Sequence, residues 1–229
     1  MQMINVDYIF KRVNDSLSKK NQAGYSSVED FNGDLHDSEN ILFEFFYKDY
    51  ERTQKISDAL SPFLVEKDFP VNSGYVAYPD DYRHPLEMVY NMVLSGKDCE
   101  SSAQEILMHK LQSNEERDTM ASFIRKPSIE KKLIYFVQLA DKFRIRPMEL
   151  KGSVRFKYLR NPKFGKYKTS IDFEKEIEVY DPLASTNLEW KEPESVGIID
   201  LMLLHKGIEI RDSELVQFAQ AKMQVNTNK

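Results

Sequence analysis

Two hydrophobic rhythms meet at Pro62, and their junction restricts the chain to a mixed α+β fold. Before it, apolar residues recur every three or four positions: Val6, Ile9, Phe10, Val13 and Leu17, then Leu42, Phe45, Phe46, Tyr50 and Leu60. That period marks amphipathic helices. After it come short apolar runs, Phe63 to Val65, Gly74 to Tyr78 and Leu86 to Leu94, separated by Pro70, Pro79 and Pro85. Proline cannot donate to a strand ladder or continue a helix, so these runs read as short strands between turns.

The helical part spans residues 1–62. A first helix is expected over 4–20, broken by Gly24 and the Ser26–Ser27 pair. A second should start near Asp37 or Ser38, either of which can cap it, and run to Leu60, roughly 35 Å at 1.5 Å per residue. Phe43 and Tyr47 fall off its apolar stripe. They are candidates for contact with a neighbouring subunit, unless the first helix covers them.

Residues 63–229 form an α+β part, with no linker that forces a separate domain, so one integrated domain is expected. Within it, 95–113 reads as a polar insertion with a short helix over Ala103 to Leu111. Another short helix, capped by Asn114, extends to Ile124. Leu133 to Leu139, Val154 to Leu159 and Ile177 to Tyr180 are further strands, giving a central, mostly antiparallel β region. Glu192-Pro193-Glu194 opens a helix through His205, closed by Gly207. Asp212 then caps a second, Ser213 to about Gln224, which completes a C-terminal helix pair.

Charge is distributed unevenly in a chain of formal net charge −5. Residues 142 to 168 hold ten Lys or Arg against one acid, Glu149, whereas residues 28 to 51 hold eight acids against Lys48. A positive segment of this density seeks nucleic acid, membrane phosphate or an acidic protein face. The residues expected at such a contact are Arg144, Arg146, Arg155, Lys157, Arg160, Lys163, Lys166 and Lys168. If 153–159 is a strand, alternation sends Arg155 and Lys157 to one face and Val154, Phe156 and Tyr158 to the other. That arrangement favours phosphate or acidic protein over base stacking, although Phe156, Tyr158 or Tyr167 could in principle stack on bases. Complementary poles can also pair within the fold or between copies.

No pattern of residues marks an enzyme. The histidines are scattered, and Asp34-Leu-His36-Asp37-Ser-Glu39 fits neither a zinc nor an EF-hand spacing. No nucleophile elbow or phosphate-cradling glycine loop is visible, so no catalytic residue, cofactor or metal is assigned. The single cysteine, Cys99, excludes a disulfide within the chain. The start, MQMINVDYIF, lacks a basic segment followed by an apolar run, so no signal peptide is expected, and no membrane partner.

The order of several short pieces carries a resemblance. Gly74-Tyr-Val-Ala-Tyr-Pro79, Phe123-Ile-Arg-Lys-Pro-Ser128, Ile145-Arg-Pro147, Val154-Arg-Phe-Lys-Tyr-Leu-Arg-Asn-Pro162, Asn187-Leu-Glu-Trp190, Ile198-Ile-Asp200 and Ala219-Gln-Ala-Lys222 follow one another over roughly residues 60 to 224. This pattern resembles structural proteins of tailed bacteriophages of Bacteroidetes hosts, including the crAss-like phages. The resemblance implies a virion part near the portal: a head–tail connector, adaptor or tail-ring protein, in a homo-oligomeric ring of about a dozen copies. Its neighbours would be the portal and other tail or ring proteins, with non-specific contact to packaged DNA. It would be assembled in the cytoplasm of the bacterial host.

Overall fold

Helices dominate the early and late described parts of the chain, and strands the part between. In the computed structural model the described residues are 3–18, 26–50, 54–94, 102–172 and 176–209. In chain order they form β1 (Met3–Ile4), α1 (Val6–Ser18), α2 (Val28–Lys48), α3 (Gln54–Leu60), β2 (Leu64–Val71), β3 (Tyr75–Ala77) and β4 (Tyr82–Leu94). Next come β5 (Ser102–Leu107), β6 (His109–Leu111), α4 (Glu116–Ala121), β7 (Tyr135–Gln138), β8 (Lys142–Arg146) and β9 (Gly152–Arg160). The last are β10 (Thr169–Asp172), β11 (Ile177–Tyr180), β12 (Leu188–Lys191) and α5 (Ser195–Glu209). The fold is α+β, and all strand pairs are antiparallel except β6 with β7. Two compact units result: residues 1–62 with 162–229, and residues 63–161.

In the first unit α1 buries the stripe its period marks, Val6, Ile9, Phe10, Val13 and Leu17. The second helix differs from expectation at both ends. It starts at Val28, because Ser27 caps it: its hydroxyl accepts the Asp30 N–H at 3.1 Å and donates to the Asp30 carboxylate at 2.7 Å. Such a cap contributes about 1 kcal/mol. The helix stops at Lys48, and Gln54–Leu60 is a separate helix. Phe31, Leu35, Ser38, Glu39, Leu42 and Phe43 face inward. Phe43 is therefore a core residue, edge-on to Trp190 at 6.2 Å, while Phe45, assigned to the inner stripe from the sequence, is 46% exposed.

The chain from Pro162 onward supplies the rest of this unit. Tyr167 stacks on Phe10 at 4.0 Å, β12 pairs with β1, and α5 buries Ile198, Leu201, Met202 and Leu203. Gly207 lies within α5 instead of closing it, as the helix continues to Glu209. The expected second C-terminal helix falls outside the described residues.

The second unit is two four-stranded sheets over one core. Their strand orders are β2-β9-β4-β5 and β3-β8-β7-β6. Met88, Val154, Phe156 and Tyr158 of one meet Val76, Phe136, Phe143 and Ile145 of the other. The chain passes between the sheets four times, from β2 to β3, β3 to β4, β5 to β6 and β8 to β9. Asn72 and Tyr75 exchange both backbone hydrogen bonds at 2.9 Å around Ser73 and Gly74, whose φ angles of 52° and 77° define a tight type I′ turn. At Gly74 a side chain would also meet the Met148 backbone at 3.0 Å. The passage from β5 to β6 is at Met108, whose N–H goes to the Met88 carbonyl, while the next N–H goes to that of Ile134.

That passage corrects the reading of 103–111. Where a helix was expected, β5 and β6 run instead. Ile106 and Met108 point into the core, with Glu105 and Leu107 outward, a period of two that supplies β4 with a partner. The short helix after it begins at Glu116 without a side-chain cap, so Asn114 does not serve.

Candidate partner-contact surfaces

The ten cations of the 142–168 run part company at Pro162. Those up to Arg160 belong to the two-sheet unit and those from Lys163 to the helical one. In β9 the alternation is as the sequence indicates: Val154, Phe156 and Tyr158 are buried while Arg155 and Lys157 face away from the core. Tyr158 donates to the Asp81 carboxylate at 2.8 Å, and burial with that partner drives its phenol pKa upward.

Register decides what the two cations meet. Lys157 stands between Glu66 of β2 and Glu87 of β4. Arg155 lies 2.7 Å from Glu105, 3.6 Å from Glu66 and 3.8 Å from Asp68. The outer face of this sheet thus carries four carboxylates against two cations, and its excess is negative. A segment that is basic in sequence becomes the centre of an acidic face, because the flanking strands bring the acids.

Arg144 and Arg146 are engaged as well. They project from the β8 face opposite Phe143 and Ile145, and one carboxylate, Glu116 of α4, takes both: Arg144 at 2.9 Å and Arg146 at 2.7 Å. Charge-assisted pairs of this kind are strong when partly buried. They fix α4 against the sheet. Arg160 donates to the Asn161 carbonyl at 3.0 Å and lies over the Phe63 ring.

Lys163, Lys166 and Lys168 are exposed, on one extended segment of the helical unit. Their backbone is pinned from several sides. The Lys163 N–H donates to Glu189 at 2.9 Å, Lys166 bridges to Thr186, and Asn32 holds both the N–H and the carbonyl of Tyr167. Tyr167 itself is buried, as are Phe156 and Tyr158, so none of the three rings can stack on a base.

Beneath this segment sits Glu39, fully buried on α2. The Gly165 N–H donates to its Oε2 at 2.9 Å. Burial pushes its carboxyl from the ordinary 4.5 up to about 7. The Gly165 N–H and the Trp190 indole pull it back, and Glu189 adds to the rise. Nearby, Asp34 and Lys206 form a buried pair at 2.8 Å. His36 lies against Asp37 at 3.3 Å and the Phe164 ring at 4.1 Å. Among the described residues no group of three or more His, Cys, Asp or Glu is placed to hold a metal ion, and no helix is long and apolar enough to cross a membrane.

Of the two expected subunit-contact residues, Phe43 is consumed by the core of its own unit and Tyr47 is half-buried, its phenol pKa raised by burial and by Glu44. The exposed apolar residues lie elsewhere. On α2 they are Ile41 and Phe45, one helical turn apart. On the β10–β11 hairpin they are Ile171, Ile177 and Val179. Leu183 is 97% exposed on a turn whose Leu183 and Ala184 N–H groups are both held by Asp181. In the two-sheet unit Phe123 and Ile124 are 90% and 78% exposed. A signal existed for this last pair: two adjacent large apolar residues beside Arg125-Lys126-Pro127, belonging to no periodic run.

No protein-family model matches the chain, and no curated protein matches it.

Proposed function

We propose that the chain is a non-enzymatic virion structural protein, a head–tail connector, adaptor or tail-ring protomer that assembles near the portal of a tailed phage. The resemblance supplies the class. The observation that carries it is the display of large apolar side chains on ordered backbone in both units, Phe123 and Ile124 in one and Leu183 and the β10–β11 hairpin in the other. An isolated two-stranded hairpin is marginal in water, and covering large apolar side chains that stand in water is favourable. Neighbouring copies in a ring would cover such positions, and no ligand chemistry is asked of them.

The test is mass by light scattering, of the protein alone and mixed with the portal protein encoded in the same genome. A ring-sized species in either sample is expected. A monomer in both rules the connector reading out.

A second reading, a nucleic-acid-binding accessory protein, draws on Lys163, Lys166 and Lys168. They are members of the basic run that stand exposed on one extended segment, where they are free to meet phosphates. DNA binding at low salt would favour it, and its absence would remove it.

A further inference from the structure

We propose that the Phe123–Ile124 loop of one copy docks on the acidic outer face of the β2-β9-β4-β5 sheet of a second copy, around Leu107. This contact deepens the ring-protomer reading and rests on it.

The loop is built to present its two apolar side chains. The Ser122 N–H returns to the Asp118 and Thr119 carbonyls, and its hydroxyl receives the Arg125 N–H at 3.1 Å. Ser128 and Leu133 then exchange both backbone bonds at 2.9 Å, with Lys132 in the left-handed region at φ 56°. Behind the loop, Glu116 ties α4 to Arg144 and Arg146. The ordering cost of binding is thereby met in advance. Residues 117–132, which include the apolar tip, carry Arg117, Arg125, Lys126, Lys131 and Lys132, all exposed, against Asp118 and Glu130. Lys131 lies over the Phe123 ring.

The sheet face is complementary in both respects. Glu66, Asp68, Glu87 and Glu105 outnumber Arg155 and Lys157 by two. Across the middle runs a row in which Asp68 faces Arg155, Arg155 faces Val89 and Val89 faces Leu107. Leu107 is 51% exposed on the strand at the sheet's edge. An apolar patch rimmed by acids thus accepts an apolar tip rimmed by cations, the pattern that gives orientation and partner choice.

Position within the unit sets the symmetry. The loop follows α4, which lies on the side of β8 turned away from the shared core, while the acidic face is the outward side of the opposite sheet. Donor and acceptor therefore point away from each other. A contact between them is head-to-tail, the kind that closes into a ring when the rotation allows. An anionic bilayer could take the same loop but would leave the acidic face without a role.

The test compares the full chain with Phe123→Ser/Ile124→Ser and with Leu107→Lys, by light scattering at low and high salt, with and without the portal protein. All three substitutions alter exposed side chains, and unchanged thermal unfolding verifies the fold. Each variant should lose association about thirtyfold or more. An equimolar mixture of the two variants should form a dimer that grows no further, since one intact loop then meets one intact face. Full assembly by the Phe123→Ser/Ile124→Ser variant overturns the contact and leaves the ring reading standing. A full chain that stays monomeric under all conditions sinks both. If that variant loses only its binding to phosphatidylglycerol vesicles and assembles as before, the loop belongs to a membrane and the contact is overturned.

Discussion

Gly165 gives its backbone N–H to the buried Glu39 carboxylate at 2.9 Å, across 126 residues of sequence. The approach is possible because position 165 has no side chain. A Cβ there would stand 2.7 Å from Leu188 Cδ1 and 3.1 Å from Leu35 Cδ2. Gly165→Ala should therefore push the 163–168 segment away from α2. Overpacking of this kind costs about 1–3 kcal/mol. Urea unfolding reads it, and an unchanged midpoint would show that the segment is not held there.

Glu39 also sets a pH dependence. Its folded pKa of about 7 lies above the ordinary 4.5, so the folded chain keeps a proton that the unfolded chain releases. The contribution to stability is complete below about 4.5 and is lost as pH rises through 7. Up to about 3 kcal/mol is involved. Glu39→Gln keeps an acceptor for the Gly165 N–H and removes the titration. The difference in unfolding free energy between the two proteins should then change across this window, in favour of the variant as pH rises. A constant difference would show that Glu39 ionises as freely folded as unfolded.

The Asp34–Lys206 pair costs more to break than it contributes intact. Lys206→Met leaves a carboxylate in the interior, and such losses run to about 3–5 kcal/mol. Replacing both, Asp34→Leu with Lys206→Met, should recover most of the loss. Calorimetric midpoints for the single and double variants decide this, and equal losses in both would show that packing, not charge, is at stake.

Glu116 holds two guanidinium groups with one carboxylate. Glu116→Ala should destabilise the two-sheet unit by about 2–3 kcal/mol, since both arginines lose a charge-assisted partner. Amide exchange over Met120 to Ile124 should quicken as well, because α4 would lose its tie to β8. Unchanged exchange there would mean that the loop is ordered without the clamp.

Neutralising Lys163, Lys166 and Lys168 together to Gln should leave folding intact, since all three side chains are exposed. If the chain binds duplex DNA through them, the dependence of log affinity on log salt flattens by about 3. An unchanged slope would place DNA elsewhere on the protein.

Much of the secondary structure could be read directly from residue order. The stripe of α1, the alternation of β9 and the span of β11 depend on residues within a few positions of one another, and the structure reproduces them. The reading of α2 went astray for a local reason. The Ser26–Ser27 pair reads as a break, but a serine that breaks one helix can cap the next, whereas Phe43 faces inward because Trp190, distant in sequence, packs against it. Residues 103–111 failed for a distant one. A segment rich in good helix formers becomes strand when β4 and β7 offer it edges, and local sequence does not contain those edges.

The candidate surfaces divide in the same way. The sequence by itself determined that the chain is α+β, where the stripe of α1 and the alternation of β9 lie, and that 142–168 is dense in cations. Only the tertiary structure decided what those cations are worth. Register set Glu66 and Glu87 beside Lys157, α4 brought Glu116 to Arg144 and Arg146, and a missing side chain at Gly165 let the lysine segment close over Glu39. Periodicity is a property of neighbours along the chain, so sequence fixes it. The electrostatic character of a face depends on which distant strands are placed beside one another, and that follows from the pairing of the whole fold.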